Sequence, residues 1–243
     1  MRRPLARLSR ETTRTEYLDR PGVPRAELAE CLRDIARLNR LGPTRSLLHY
    51  VAPFFDRFAG QGDPGPLRVL DLGTGGADIP ARLVRWARAR QWPVRVLALD
   101  VEPAILACAA AVTRGLPEVR LVAGDARQPP VRAKGVDLAL CSLTLHHLSE
   151  PAVVALFRVM ADVARLGFVV SDLRRSRLAY VTAWVLTRTI SRNRLTRHDG
   201  PLSVLRAYTE AELAGLAAAA GLPEMRWHRA PAFRLIGVYE RHR

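Results

Sequence analysis

VLDLGTGGADIP, Val69 to Pro80, is the stretch on which the reading of this chain turns. It opens as a short strand, apolar except for Asp71, and closes on glycines. Gly73 and Gly75 lack a Cβ, so the backbone there can turn tightly and let a ligand approach closely. Ile79, Leu83 and Trp86 follow at helical spacing, with Asp78 placed to cap and Pro80 tolerated in the first turn. A strand that delivers a glycine loop to a helix N-terminus is a ligand-binding device, and two ligand classes compete for it. A dinucleotide fold calls for G-x-G-x-x-G with a pyrophosphate at the helix start. Here the sixth position is Asp78, whose carboxylate repels phosphate. The chain also lacks a Tyr-x-x-x-Lys pair, since Lys134 follows Pro130 at that spacing. An acidic rim around a glycine loop suits a phosphate-free cofactor with a positive centre.

Working outward, the pattern alternates strand and helix. VRVLALD (94–100) is a second strand, followed by an alanine-rich helix from Pro103 to Thr113. VRLVAGD (119–125) is a third and VDLALCSL (136–143) a fourth. Ser149 can cap a helix carrying Val153, Leu156, Phe157, Met160 and Val163, and LGFVVSD (166–172) is a fifth strand. Strands apolar on both faces in β-α-β-α order argue for a parallel sheet between helices. Ligands in such sheets bind beyond the carboxyl ends of the strands. Leu173 to Ala207 then breaks the rhythm as a long insertion, with seven arginines ahead of His198 and a turn expected at Asp199-Gly200-Pro201. A capping box, Thr209 with Glu212, opens a further helix. Two closing stretches, 225–228 and 233–239, read as an antiparallel hairpin at the sheet edge.

Ahead of the glycine loop, Leu28, Leu32, Ile35 and Leu38 sit at helical spacing over 26–41, and Gly42-Pro43 stops that helix. A second helix is expected from Thr44 to about Phe58, kinked at Pro53. Gly60 to Pro66 is a turn-rich linker and the best boundary in the sequence. The expected organisation is a helical lid, residues 1–62, and a catalytic domain, 63–243, with a cap insertion at 173–207. The first 25 residues are polar, Arg-rich and expected to fray.

The chain has 243 residues, 49% of them apolar and 25% charged, enough for a substantial core. Its net charge is +15, but of 38 Lys and Arg only Lys134 is lysine, which reads as coding bias rather than as a nucleic-acid surface. Three scattered cysteines, Cys31, Cys108 and Cys141, indicate neither disulfides nor zinc. The basic N-terminus has no apolar core of the kind a secretory signal needs, and the apolar run 178–186 is half a membrane span. A soluble, cytoplasmic protein is the expectation.

On these residues the chain resembles the class I S-adenosylmethionine-dependent methyltransferases, in particular the small-molecule group related to ubiquinone/menaquinone-type enzymes. The resemblance is strong over 67–173 and topological beyond. It implies a Rossmann-like, doubly wound α/β fold of seven strands, mostly parallel, with N-terminal helices and a helical cap. DLGTGGAD matches the family's first motif, so Asp71, Gly73, Thr74 and Gly75 are implied neighbours of the methionine part. Where many members read G-T-G-x-G, this chain has Gly75-Gly76-Ala77, a departure that keeps the loop small. LALDVEPAIL places Asp100, with Val101, where the family holds the ribose hydroxyls. In VAGDARQPP, Gly124, Asp125 and Ala126 resemble the adenine-binding turn. VDLALCSLTLHHL is close to the family's D-x-V-x-x-x-x-x-L-H-H-L pattern and brings Cys141 and Ser142 beside the implied methyl end.

His146 is the preferred general base toward an acceptor hydroxyl, because imidazole titrates near neutrality; His198, in the cap, is the alternative. Two adjacent histidines are not expected to point at one site, so the pair is not expected to bind metal, and no metal is called for elsewhere. The implied reaction is methyl transfer to a hydroxyl or activated carbon of a small hydrophobic, aromatic or polyketide-like acceptor, as in secondary metabolism. An RNA methyltransferase on the same fold and a non-catalytic S-adenosylmethionine-binding protein are the rival readings. The insertion's apolar residues and arginines fit a lid over the acceptor, a solvated packing helix or a peripheral membrane contact; oligomeric state is left open.

Overall fold

The structure is a computed structural model that describes residues 8–20, 22–60 and 65–241. Seven strands form one sheet in the order β3-β2-β1-β4-β5-β7-β6. β1 (Leu67–Leu72), β2 (Val94–Asp100), β3 (Val119–Ala123), β4 (Val136–Ser142) and β5 (Ala164–Leu173) are parallel. β6 (Arg226–Ala230) and β7 (Arg234–Glu240) form the closing hairpin, with β7 antiparallel to β5. The chain order reverses at β1, between β2 and β4, which is where such sheets open a ligand crevice at the strand tips.

Successive residues of each strand serve opposite faces. Leu138 and Leu140 pack with α2 (Pro43–Ala59) and α3 (Asp78–Arg88), whereas Ala139 and Cys141 pack with α5 (Glu150–Val163) and α8 (Glu210–Ala219). Each fully buried Leu, Val or Phe in these layers contributes roughly 1.5–3 kcal/mol. The alternation explains why β4 is apolar on both faces from Leu138 to Cys141. α4 (Pro103–Val112) follows β2, and α1 (Arg25–Arg40) packs with it through a small cluster of Leu28, Leu32 and Cys108.

Several local expectations change. α3 is N-capped by Ala77, held in the left-handed region at φ 56°, and Asp78 is its first residue with no side-chain capping bond. The alanine is fully buried, so the fold holds this strained turn in place. Asp199-Gly200-Pro201 is not a turn but lies inside α7 (Arg194–Arg206), with Asp199 and Pro201 both buried. With α6 (Arg177–Ile190), it makes the whole 173–207 insertion two packed helices. The capping box at Thr209 and Glu212 is present on α8.

The N-terminal segment is not frayed where it is described. Residues 8–20 form a strap: the Glu11 amide donates to Leu205 O at 3.0 Å, and the Tyr17 and Leu18 amides donate to the two Asp199 oxygens at 2.8 and 2.9 Å. Arg10 reaches the Leu148 carbonyl at 2.8 Å. The expected linker and the boundary at residue 62 lie mostly outside the described residues. α2 shares its apolar cluster with α3 and the sheet, so of the N-terminal segment it is the strap and α1 that stand over the strand tips.

Candidate active site

β1 ends at Leu72, and the chain turns through Gly73 with φ 70° and Gly75 with φ 54°. The Gly73 and Thr74 amides both donate to Leu99 O at 2.9 Å, which ties the loop to the end of β2. A Cβ on Gly73 would collide with the Thr144 side chain, whereas one on Gly75 would meet nothing within 4 Å. The first glycine is therefore required by packing against the β4 turn. The second leaves space above the loop.

That space belongs to a cavity of ≈ 750 Å³ running over the tips of β1, β2, β3 and β4, within the range of small-molecule sites. Of the residues expected to hold a cofactor, Asp71, Gly73, Thr74, Gly75, Asp100, Val101, Gly124, Asp125, Ala126 and Ser142 line it. Asp100 Oδ2 accepts from the Gly75 amide at 2.8 Å and Oδ1 from the Glu102 amide at 3.1 Å, so the carboxylate is fixed at the rim. Burial pushes its pKa up. Burial, with Asp78 and Asp100 nearby, pushes Asp71 up to about 7. Asp125 lines the cavity with its carboxylate clamped by Arg127, whose Nη2 lies 2.6 Å from Oδ2.

Cys141 departs from expectation. It is 1% exposed, does not line the cavity, and faces the α5 layer of the core. Burial drives its thiol well above the ordinary range. The strand alternation that brings Ser142 to the site necessarily turns Cys141 away.

The two histidines follow β4 on a 3₁₀ turn, Leu145–His147. His146 is 3% exposed; its Nδ1 donates to Asp172 Oδ1 at 2.6 Å, while Asp172 Oδ2 accepts from the Leu145 amide at 2.7 Å. Asp172, at the carboxyl end of β5, fixes the ring and leaves Nε2 as the nitrogen able to take a proton. Burial opposes the charge on Asp172, but His146 outweighs it and holds the carboxyl below its usual range. His147 Nδ1 lies 2.9 Å from Asp19 Oδ2. Burial works against a charged His147, yet Asp19 and Glu16 overcome it and raise its pKa to about 9.

Adjacency did not keep the rings apart. Both Nε2 atoms face the buried Glu16, at 3.8 and 3.9 Å from its two oxygens, and the rings stand 4.3 Å apart. Among the described residues these three side chains are the grouping close enough to hold a metal ion, with ligand atoms within 4.8 Å of one another. Arg206 Nε also stands 3.8 Å from Glu16 Oε1, so the carboxylate already has a cationic neighbour.

His198 plays another part. It does not line the cavity; its Nδ1 lies 2.7 Å from Asp199 Oδ1 and its ring stacks on Tyr17 at 3.8 Å. It pins the strap, which in turn carries Glu16 and Asp19 to the other histidines.

Residues not foreseen complete the wall. Arg234, at the start of β7, is 5% exposed and gives Nη2 to Asn39 Oδ1 at 2.9 Å, while Asn39 Nδ2 donates to Asp78 Oδ2 at 3.0 Å. Burial lowers its pKa to about 10. Asp172 carried a signal, since it closes an apolar parallel strand. Glu16 and Arg234 carried none, for each sits in an Arg-rich stretch.

Residues 69–167, from β1 into β5, match the family model described as a methyltransferase domain. Those residues, about two-fifths of the chain, are a methyltransferase domain. The seven-stranded sheet with its antiparallel last hairpin is the Rossmann-like methyltransferase fold, and S-adenosylmethionine is the methyl donor that goes with it. Solved structures share the fold at low identity. A SAM-dependent methyltransferase from Aquifex aeolicus is 18% identical at TM-score 0.52, over 76% of this chain and 87% of that one. Human N-acetylserotonin methyltransferase, in complex with SAM, is 15% identical at TM-score 0.65, over 95% of this chain but 63% of that one. The magnesium protoporphyrin IX methyltransferase of Synechocystis PCC 6803, with bound SAH, is 16% identical at TM-score 0.51, over 79% and 82%. No curated protein sequence matches the chain. No helix among the described residues is long and apolar enough to cross a membrane.

Proposed function

We propose that this methyltransferase moves a methyl group from S-adenosylmethionine to a hydroxyl, or to an activated carbon, of a small hydrophobic acceptor of aromatic or polyketide-like kind. The observation that carries the reading is the make-up of this cavity's wall. Carboxyl groups line it at Asp71, Asp78, Asp100 and Glu102, and apolar side chains line it at Leu38 from α1, Ala183 and Leu186 from α6 and Val204 from α7. Four carboxyl groups around a glycine loop fit a cationic nucleoside and oppose a pyrophosphate.

In this reading Asp100 accepts from the ribose hydroxyls, Val101 packs on the base, and Gly75 gives the room for close approach. The donor supplies an electrophilic methyl on a sulfonium centre, whose charge is lost on transfer. A dry pocket does not oppose such a step, and positioning supplies much of the rate. The strap, α1 and the cap helices exclude water from the acceptor end. His146 Nε2 removes the acceptor proton, and Asp172 orients the ring and stabilises the charge it gains. His147, held protonated with Arg206 near Glu16, supplies positive charge where an acceptor oxygen turns anionic. His198 acts on the strap and not on the acceptor. The shared fold with N-acetylserotonin methyltransferase over nearly the whole chain is in keeping with a small-molecule acceptor.

The test is a screen of phenolic and polyketide-like acceptors by S-adenosylhomocysteine formation. Turnover that His146→Ala abolishes and His198→Ala only reduces supports the reading. Turnover confined to RNA, or none with any acceptor despite tight cofactor binding, overturns it.

A further inference from the structure

α6 has two faces with different tasks. Ala179, Thr182, Ala183, Leu186 and Thr187 line the cavity from the inner one. The outer one presents Leu178, Val181, Trp184 and Val185 at 66%, 55%, 46% and 47% exposure, and Ile190 at 41% closes the helix. Residues 178, 181 and 185 recur at three and four positions, so they form one continuous stripe on a helix about 21 Å long. Solvent is a poor neighbour for four large apolar side chains in a row, and a stripe of this kind marks a contact surface.

Charge identifies the contact. From Leu173 to His198 there are seven arginines and no aspartate or glutamate. Arg177, Arg188 and Arg192 are exposed beside the stripe, and Arg188 lies over the Trp184 ring at 4.2 Å, an amphipathic pair suited to a water–lipid boundary. The carboxylates that reach this segment from α1 are already engaged: Asp34 with Ser191 and Thr196, Glu27 with Arg194, and Glu30 with Asn193. The outer face is therefore apolar with a cationic border. A second copy of the chain meeting this face about a two-fold axis would set the same arginines against one another. Anionic headgroups above acyl chains complement both features at once.

We propose that the outer face of α6 docks on an anionic lipid surface, with the cavity behind the same helix open to a lipophilic acceptor held in that surface. Leu41, 68% exposed at the end of α1, is a further large apolar side chain on the cavity wall that faces solvent. The docking surface is independent of turnover. The delivery of an acceptor rests on the methyl-transfer reading, and the two fail separately.

The experiment is co-sedimentation of the full chain with phosphatidylcholine vesicles and with vesicles containing phosphatidylglycerol, alongside Trp184 emission and solution mass by light scattering. Binding is expected on the anionic vesicles, with a blue shift of the emission and a loss as salt rises. Val181→Glu/Val185→Glu, both exposed and off the cavity wall, should lower partitioning at least ~10-fold while leaving circular dichroism and S-adenosylhomocysteine binding unchanged. Arg188→Gln/Arg192→Gln should weaken binding to the anionic vesicles only. No binding to either vesicle, equal binding of the glutamate variant, or a dimer in solution that this variant dissociates would overturn the proposal. Docking with no uptake of vesicle-held acceptor would leave the surface standing and remove the delivery.

Discussion

Asp172→Asn isolates the contribution of the carboxylate behind His146. The pair meets at 2.6 Å with both side chains 3% exposed, so neither bulk water nor salt screens it. An amide of the same shape retains the fill of the site but removes the charge. A hydrogen bond to a charged group contributes about 1.5–3 kcal/mol, and that is the expected loss of stability. For a chain of this size it lowers Tm by roughly 3–12 °C. Arg234, which Asp172 also stabilises, would keep only Asp78 as a charged neighbour, which adds to the cost.

The catalytic loss should be larger than the stability loss. General base catalysis contributes typically ~10²–10⁴-fold, and a ring in the wrong tautomer forfeits most of it. We expect kcat to fall about 10²-fold, measured by S-adenosylhomocysteine release. Affinity for S-adenosylhomocysteine, set at the tips of β1 to β3, should not change. His146→Gln should give a similar fall, and the double variant little more, since the two act as one unit. A kcat close to that of the parent for Asp172→Asn, in a folded protein, would refute the base assignment.

Other outcomes follow from the same geometry. His147 has a folded-state pKa raised to about 9, so the stability it contributes is complete below its unfolded value near 6.5 and is lost as pH rises through 9. Denaturant melts should show on the order of 1–3 kcal/mol lost across that window, and His147→Gln should flatten it; an unchanged pH profile in the variant would contradict the assignment. Asp71 is protonated up to about pH 7 in the free protein, and a cation beside it favours the carboxylate. Donor binding below pH 7 should therefore release a proton, read as a buffer-dependent calorimetric enthalpy, and equal enthalpies in two buffers would count against it. Chelation should leave turnover unchanged, because Arg206 and protonated His147 already face Glu16. Activity lost to a chelator and restored by a divalent cation would place that cation among Glu16, His146 and His147.

The sheet was legible because parallel strands buried on both faces are short apolar runs, and VLDLG, VRVLALD, VDLALCSL and LGFVVSD are unambiguous as such. The residues expected to hold the cofactor line one cavity for a related reason: they follow directly on strand ends, where topology alone sets their place. Cys141 shows the limit, since one residue of strand phase decides between cavity and core. The acceptor end was not legible. Glu16 and Asp19 reach the histidines through a strap held by Asp199 in bonds that span 182 and 181 residues, and no local pattern encodes such a bond. The apparent turn at Asp199-Gly200-Pro201 misled because turn residues inside a helix are tolerated when neighbouring packing outweighs their propensity.

Calorimetric titration with S-adenosylhomocysteine tests the central claim most directly, run against the parent chain and Asp100→Ala with NADP as the control ligand. Removing the fixed carboxylate that we propose accepts from both ribose hydroxyls should weaken the nucleoside about 10²-fold or more, and NADP should give no heat. Comparable affinity for both proteins, or a pyrophosphate dinucleotide bound in preference, would contradict it.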